Sequence, residues 1–163
     1  MPVSAGNRIA GLLTSGRAGC RLAGMAFDVD RMLRLWLEPF DDAAVAEAAF
    51  RAVYADPLPV NGGQLRIADL VERARALHAT YDGLTMDVLD LVEAPGRVVV
   101  AFRMRGRHHG PLATPLGTVG PTGLEVEQRV IDVLTVDDGR VTGIEMVADT
   151  LAPLLQLGAV SLR

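Results

Sequence analysis

A carboxylate at Asp132 stands inside the run Val130-Ile131-Asp132-Val133-Leu134, which is apolar on both sides. Burial in such a run disfavours the charged form and raises a carboxylate pKa. An acid kept protonated near neutral pH can donate a hydrogen bond or a proton to a carbonyl. The competing reading is a structural acid, bound to an arginine or to backbone amides. His108 and His109 stand in Gly106-Arg107-His108-His109-Gly110. An imidazole there can act as acid or base at neutral pH, or can fix the loop by hydrogen bonds. Asp56 precedes Pro57 and serves either a substrate or a plain turn. Tyr54, His78 and Tyr81 can point polar tips into a pocket. Trp36, Met86, Phe102, Met104, Leu134, Ile144 and Met146 can supply apolar wall, or plain core.

Other chemistries are excluded by what the spacing lacks. There is no Gly-x-Ser-x-Gly elbow and no phosphate loop ending in Gly-Lys-Ser/Thr. The glycine-rich stretch 106–123 does not join a strand to a helix, so no dinucleotide is expected. No His pair has helical i,i+4 spacing and no carboxylate cluster has ligand spacing, so neither metal nor cofactor is expected. The one cysteine, Cys20, rules out an internal disulfide and suits a reducing cytoplasm. A net charge of -4 argues against a nucleic-acid partner. No apolar run approaches the ~20 residues that span a bilayer, so no membrane partner is expected. All sixteen basic residues are Arg, which reads as the codon usage of a high-GC bacterium.

These residues need elements to position them. Residues 1–24 are rich in Gly, Ala, Ser and Arg and read as a disordered extension, or as the product of an upstream start with Met25 the effective beginning. Residues 25–163 read as a single domain. Asp28 caps a helix over 29–37, stopped by Pro39. Asp41 and Asp42 cap a second helix reaching about Tyr54. Asn61-Gly62-Gly63 is a turn. A third helix spans 67–80, with Leu70, Ala74 and Leu77 on its apolar stripe. Strands follow at 84–93 and 97–105 around Ala94-Pro95-Gly96. Two more, at 124–136 and 140–147, flank Asp137-Asp138-Gly139, and a last helix from Asp149–Thr150 ends at Gly158. The fold class is α+β, with helices against one face of a curved sheet.

Register decides which side chains share a face. A three-residue loop at 137–139 pairs Val136 with Arg140, Leu134 with Thr142, Asp132 with Ile144 and Val130 with Met146. One face then carries Val130, Asp132, Leu134, Thr142, Ile144 and Met146. A two-residue loop shifts this by one and brings Glu145 beside Asp132.

The series Gly106 to Gly110, Pro121-Thr122-Gly123, Asp138-Gly139-Arg140, Asp149 and Gln156-Leu157-Gly158 lies around two predicted hairpins. It resembles the SnoaL-like polyketide cyclases of the nuclear-transport-factor-2-like superfold, over roughly residues 28–160. The resemblance implies a cone-shaped α+β barrel, with three N-terminal helices on a strongly curved, mostly antiparallel sheet that encloses a pocket. It implies a polyketide-like substrate, a role in bacterial secondary metabolism, and a homodimer through the outer sheet face. Counted without gaps from Gly139, the family's catalytic Asp falls on Met146. A family His falls on Ile144, and a pocket His on Asp132. His108 matches the His of a Gly-x-His-x-Gly signature, and Asp56 a pocket Asn before Pro. Met and Ile cannot take a proton, so the family's aldol closure by proton abstraction is in doubt. A cyclase or isomerase that mainly shapes its substrate fits better; orientation alone can supply up to ~7–11 kcal/mol. Asp132, His108 and Asp56 are the candidate catalytic groups. A non-catalytic small-molecule-binding or dimeric interaction domain is the alternative.

Overall fold

The structure, a computed structural model, describes residues 27–115 and 117–161. The expected extension at 1–24 lies outside the described residues. The order is α1 (Val29–Leu37), α2 (Ala43–Arg51), β1 (Leu58–Val60), β2 (Gly63–Leu65), α3 (Ile67–Thr80), β3 (Tyr81–Ala94), β4 (Arg97–His108), β5 (Leu112–Thr114), β6 (Gly117–Val119), β7 (Glu125–Asp137), β8 (Arg140–Ala148) and α4 (Leu151–Gln156). Six strands form one sheet in the order β2-β1-β8-β7-β4-β3, and β5 pairs with β6 apart from it. Every pairing is antiparallel except the short parallel contact of β1 with β8. The α+β class and the mostly antiparallel curved sheet agree with the sequence reading.

Helix starts follow their caps. Asp28 accepts a hydrogen bond from the Arg31 amide at 2.8 Å, and Asp42 from Ala44 and Val45 at 2.7 and 3.1 Å. Helix α2 ends at Arg51, short of Tyr54. The chain leaves it to dock on β8, where Val141 donates to Val53 O at 2.8 Å and Ala55 donates to Val141 O at 2.9 Å. Asn61 and Gly62 both have positive φ, 48° and 78°, and form a two-residue hairpin between β1 and β2. At the far end, Asp149 Oδ1 accepts from Ala152 N at 3.0 Å and starts α4. Gln156 then fastens α4 to β7. Its amide donates to Glu127 O at 3.0 Å and accepts from Glu127 N at 2.8 Å.

The glycines of Gly106-Arg107-His108-His109-Gly110 have a packing role. A Cβ at Gly110 would collide with the Ala79 carbonyl, and one at Gly106 would lie 3.0 Å from Tyr81 Cβ. The end of β4 therefore presses against the junction of α3 and β3, where His109 N and Gly110 N both donate to Thr80 O.

The β7–β8 register corrects the expected one. The loop has two residues, Asp138 (φ 46°) and Gly139 (φ 71°), between the paired Asp137 and Arg140. Val136 pairs with Val141, but Thr135 then pairs with Gly143, so Thr142 is an extra residue in β8. Beyond this bulge Leu134 faces Ile144, Asp132 faces Met146 and Val130 faces Ala148. The bulge restores the parity that the shorter loop had shifted. Ile144 and Met146 stay on the face of Asp132, but each sits two residues from its expected partner. Val141, which the expected register left off the face of Asp132, is fully buried.

The main core lies between the helices and the concave sheet face. Phe50, Leu58, Val100, Leu134 and Val141 are all completely buried there. Truncating one such side chain to Ala costs roughly 2–5 kcal/mol. A second, smaller cluster joins Tyr81, Met104, Val126 and Leu157 at the other end of the sheet.

Candidate functional site

Asp132 is carried on β7 between Val100 of β4 and Met146 of β8. Its neighbours two residues away on the same face, Val130 and Leu134, are buried. The residue is 9% exposed, and its Oδ1 is sealed from water-sized space with no hydrogen-bond partner. Among the described residues neither an arginine nor a backbone amide bonds it, so the structural role weighed from the sequence finds no partner there for this oxygen. Burial raises its pKa from 3.8 to about 6.

Tyr54 lies near enough to this carboxylate for the charge of Asp132 to act on its phenol. Trp36 Nε1 donates to the Tyr54 hydroxyl oxygen at 2.9 Å. Burial pushes the Tyr54 pKa upward, outweighing the Trp36 hydrogen bond, and Asp132 pushes it the same way. The phenol therefore keeps its proton. Because its oxygen already accepts from Trp36, the O–H is the part left to donate. Tyr54 is fixed from behind by Arg140, whose guanidinium donates to Tyr54 O at 2.6 Å. The rings of Phe50 and Tyr54 stack at 5.9 Å, and Trp36 meets Phe50 edge-on at 5.4 Å.

Exposure rises across the strand pair, from 9% at Asp132 to 38% at Met146. The open side of the site is thus its Met146 side. Asn61, at the tip of the β1–β2 hairpin, holds this edge. Its amide donates to Met146 O at 3.0 Å and accepts from Met146 N at 2.7 Å. The sequence reading had Asn61 only as a turn. The Asn61-Gly62 pair, a strong hairpin signal, was sufficient to place two short strands around it.

The structure gathers part of the sequence-derived set and disperses the rest. Trp36, Tyr54, Phe102, Leu134 and Ile144 pack in or against the core that holds Asp132, and Met146 flanks it. His108 does not join them. It lies eight residues beyond Val100 on β4, roughly 26 Å of strand. There it is fully buried beside Tyr81, with Nδ1 3.1 Å from Thr122 Oγ1. Tyr81 and Met104 belong to that second cluster. Asp56 pairs with Arg51 at 3.3 Å and Arg66 at 3.8 Å near the surface. His78 lines a groove of about 200 Å³ among the helices, away from the sheet. A second groove of about 280 Å³ lies between the β5–β6 hairpin and the end of α4. Asp132 lines neither groove.

Among the described residues no three His, Cys, Asp or Glu side chains are grouped to hold a metal ion. No helix among them is long and apolar enough to cross a membrane.

The fold is shared with known structures. TsrD from Streptomyces laurentii superposes with a TM-score of 0.65 at 22% identity, over 81% of this chain and 96% of that one. IdmH from Streptomyces antibioticus gives 0.59 at 20% identity, over 80% and 97%. A protein with a ketosteroid isomerase-like fold from Catenulispora acidiphila gives 0.59 at 12% identity, over 80% and 91%. No curated protein matches the sequence. The sequence pattern of SnoaL-like polyketide cyclases matches residues 29–157, which takes in α1, every strand and α4. The chain belongs to the SnoaL-like polyketide cyclase family.

Proposed function

We propose that this protein closes a ring, or isomerises one, in a polyketide-like small molecule of bacterial secondary metabolism. The substrate lies against the concave sheet face beside Asp132. The observation that carries this reading is the buried Oδ1 of Asp132, without a partner among the described residues and near enough to Tyr54 for its charge to act on the phenol. A buried polar group without a partner is costly unless something else satisfies it. A substrate that displaces the side chains sealing this corner would satisfy both groups, its carbonyl accepting from protonated Asp132 and from Tyr54. An apolar substrate excludes water from the site and favours the protonated acid further.

The flanking side chains assign the rest of the work to shape. Ile144 and Met146 stand beside Asp132 and can neither take nor give a proton. A cycloaddition-type closure needs no strong base, only a folded substrate and a hydrogen bond to its carbonyl. Entry is from the Met146 side, where flexible thioethers of Met146 and Met86 yield to an irregular ligand. This reading assigns no chemistry to His108 or Asp56. The test is turnover of a linear polyene or polyketone by Asp132→Asn and by Met146→Trp. A loss of about 10²-fold in the first is expected, with a raised KM in the second. Unchanged turnover in both would sink the proposal.

The same flanking residues favour a second reading, a carrier or sensor that binds such a molecule without converting it. It predicts tight binding in the wild type with no product formed.

We also propose a homodimer through the outer sheet face. Two rows of cross-strand neighbours lie there: Val92, Val99 and Val133, and Ala101, Ile131 and Val147. Val92, Ile131 and Val147 are 56%, 46% and 72% exposed. A contiguous apolar stripe of this kind marks an interface on a folded protein.

A further inference from the structure

The helical side of the molecule carries a groove that the proposed chemistry does not use. Its volume is about 200 Å³, and it lies between the end of α1, α2 and α3. Phe40, Val71 and Ala74 give it apolar walls, and Phe50 backs it. Two polar groups enter from α3. His78 lines the groove, and its Nε2 is sealed from solvent with no hydrogen-bond partner among the described residues. Arg75 lies one helical turn before His78 on the same face and forms no ion pair with the described acids. Glu38, at the end of α1, stands on the rim.

We propose that this groove is a second small-molecule site, for a small aryl or alkyl monocarboxylate. The apolar body lies along Phe40, Val71 and Ala74. The carboxylate accepts from Arg75 at the mouth of the groove, and a turn of the half-buried His78 ring brings Nε2, which has no partner among the described residues, to the ligand. Glu38 repels a second negative charge, so dianions are disfavoured. At about 200 Å³ the groove is smaller than the ~300–1,000 Å³ of pockets for larger ligands, which limits the occupant to a small acid. The site is separate from Asp132: the buried ring of Phe50 stands between the groove and the Trp36–Tyr54 pair.

That arrangement supplies the readout. Trp36 is the chain's one tryptophan, and it touches the back of Phe50. Its emission is titrated with 3-phenylpropionate, with 3-phenylpropanamide, and with the dianion phenylmalonate. The proposal expects a saturable change with the monocarboxylate. It expects binding about tenfold weaker for the amide, for Arg75→Gln and for His78→Ala, and unchanged binding in Asp132→Asn. Arg75→Gln alters a surface side chain and keeps the test valid if His78→Ala does not fold. Equal binding of acid and amide would overturn the proposal, as would the absence of a saturable response. Binding lost in Asp132→Asn but kept in Arg75→Gln would place the probe at Asp132 and overturn it too. The Asp132 reading is judged separately, by turnover.

Discussion

Asn61 and Met146 are joined by two hydrogen bonds running in opposite directions, of 3.0 and 2.7 Å, between one side-chain amide and one residue's backbone. The amide offers β8 the donor and acceptor that another strand residue would offer. It continues the sheet one step past Val60, whose pairing with Ile144 is the only β1–β8 ladder contact. The edge of the proposed site at Met146 is thereby held by a side chain.

Replacing Asn61 separates this clamp from the turn it sits in. Asn61→Gly keeps a residue at ease with φ 48° and removes both hydrogen bonds. A loss of about 1–2 kcal/mol in urea unfolding is expected, with faster amide exchange at Met146. Asn61→Ala loses the clamp and strains the turn, so it should be less stable than the glycine variant. Equal stability of wild type and Asn61→Gly would show that the clamp contributes nothing.

Asp132 makes stability depend on pH in a direction opposite to that of a salt-bridged acid. Its folded pKa, about 6, lies above the ordinary 3.8. Below pH 3.8 it is protonated in both states and costs nothing. Between 3.8 and 6 the folded state binds more protons, so stability falls as pH rises. Above 6 the full cost remains, about 3 kcal/mol for a shift of roughly two pH units. Asp132→Asn should therefore exceed the wild type in stability at pH 7.5 and match it near pH 3.5. Paired urea unfolding curves at the two pH values measure this.

The same titration should appear in turnover. If protonated Asp132 donates to the substrate, kcat/KM falls as pH rises through about 6. Asp132→Asn, which still donates through its amide, should retain part of the activity with that limb flattened. A rate that instead rises with pH through 6 would make Asp132 a base and reject the hydrogen-bonding role.

Two glycines should respond differently to alanine. Gly110→Ala drives a methyl into the Ala79 carbonyl, which is backbone and cannot swing aside. A loss of about 3 kcal/mol or more is expected. Gly139→Ala meets no atom within 4 Å and suffers only its φ of 71°, for about 1–2 kcal/mol. Thermal unfolding of the pair measures the difference, and a milder effect at Gly110 would contradict the close approach of β4 to α3.

The apolar stripe on the outer sheet gives a prediction about assembly. Val147→Arg and Ile131→Arg place charge on exposed positions and should leave the fold intact. Sedimentation velocity should show a dimer for the wild type and a monomer for either variant. A monomeric wild type would remove the proposed interface.

Helices were legible where local chemistry decides. Asp28 with Pro39 gave the limits of α1, and the stripe of α3 gave its full length. The β7–β8 register was not legible, because the extra residue at Thr142 carries no composition signal and reverses the parity that counting from a turn assumes. Burial of Asp132 could be read from its apolar neighbours on one strand. Its nearness to Tyr54 could not, since it depends on how the chain leaves α2 to dock on β8. His108 lies far from Asp132, and that distance was not legible for a related reason. Its signature glycines answer to Ala79 and Tyr81, contacts made at the opposite end of the sheet from Asp132.

The latch between Gln156 and Glu127 gives the frame a property beyond holding α4 in place. Like the Asn61 clamp, it is made by a neutral amide on backbone atoms. Neither fastening takes up or releases a proton, and neither is screened by salt. A change of acidity therefore leaves these two fastenings intact. The scaffold is electrically silent at these two joints whatever the charge on Asp132.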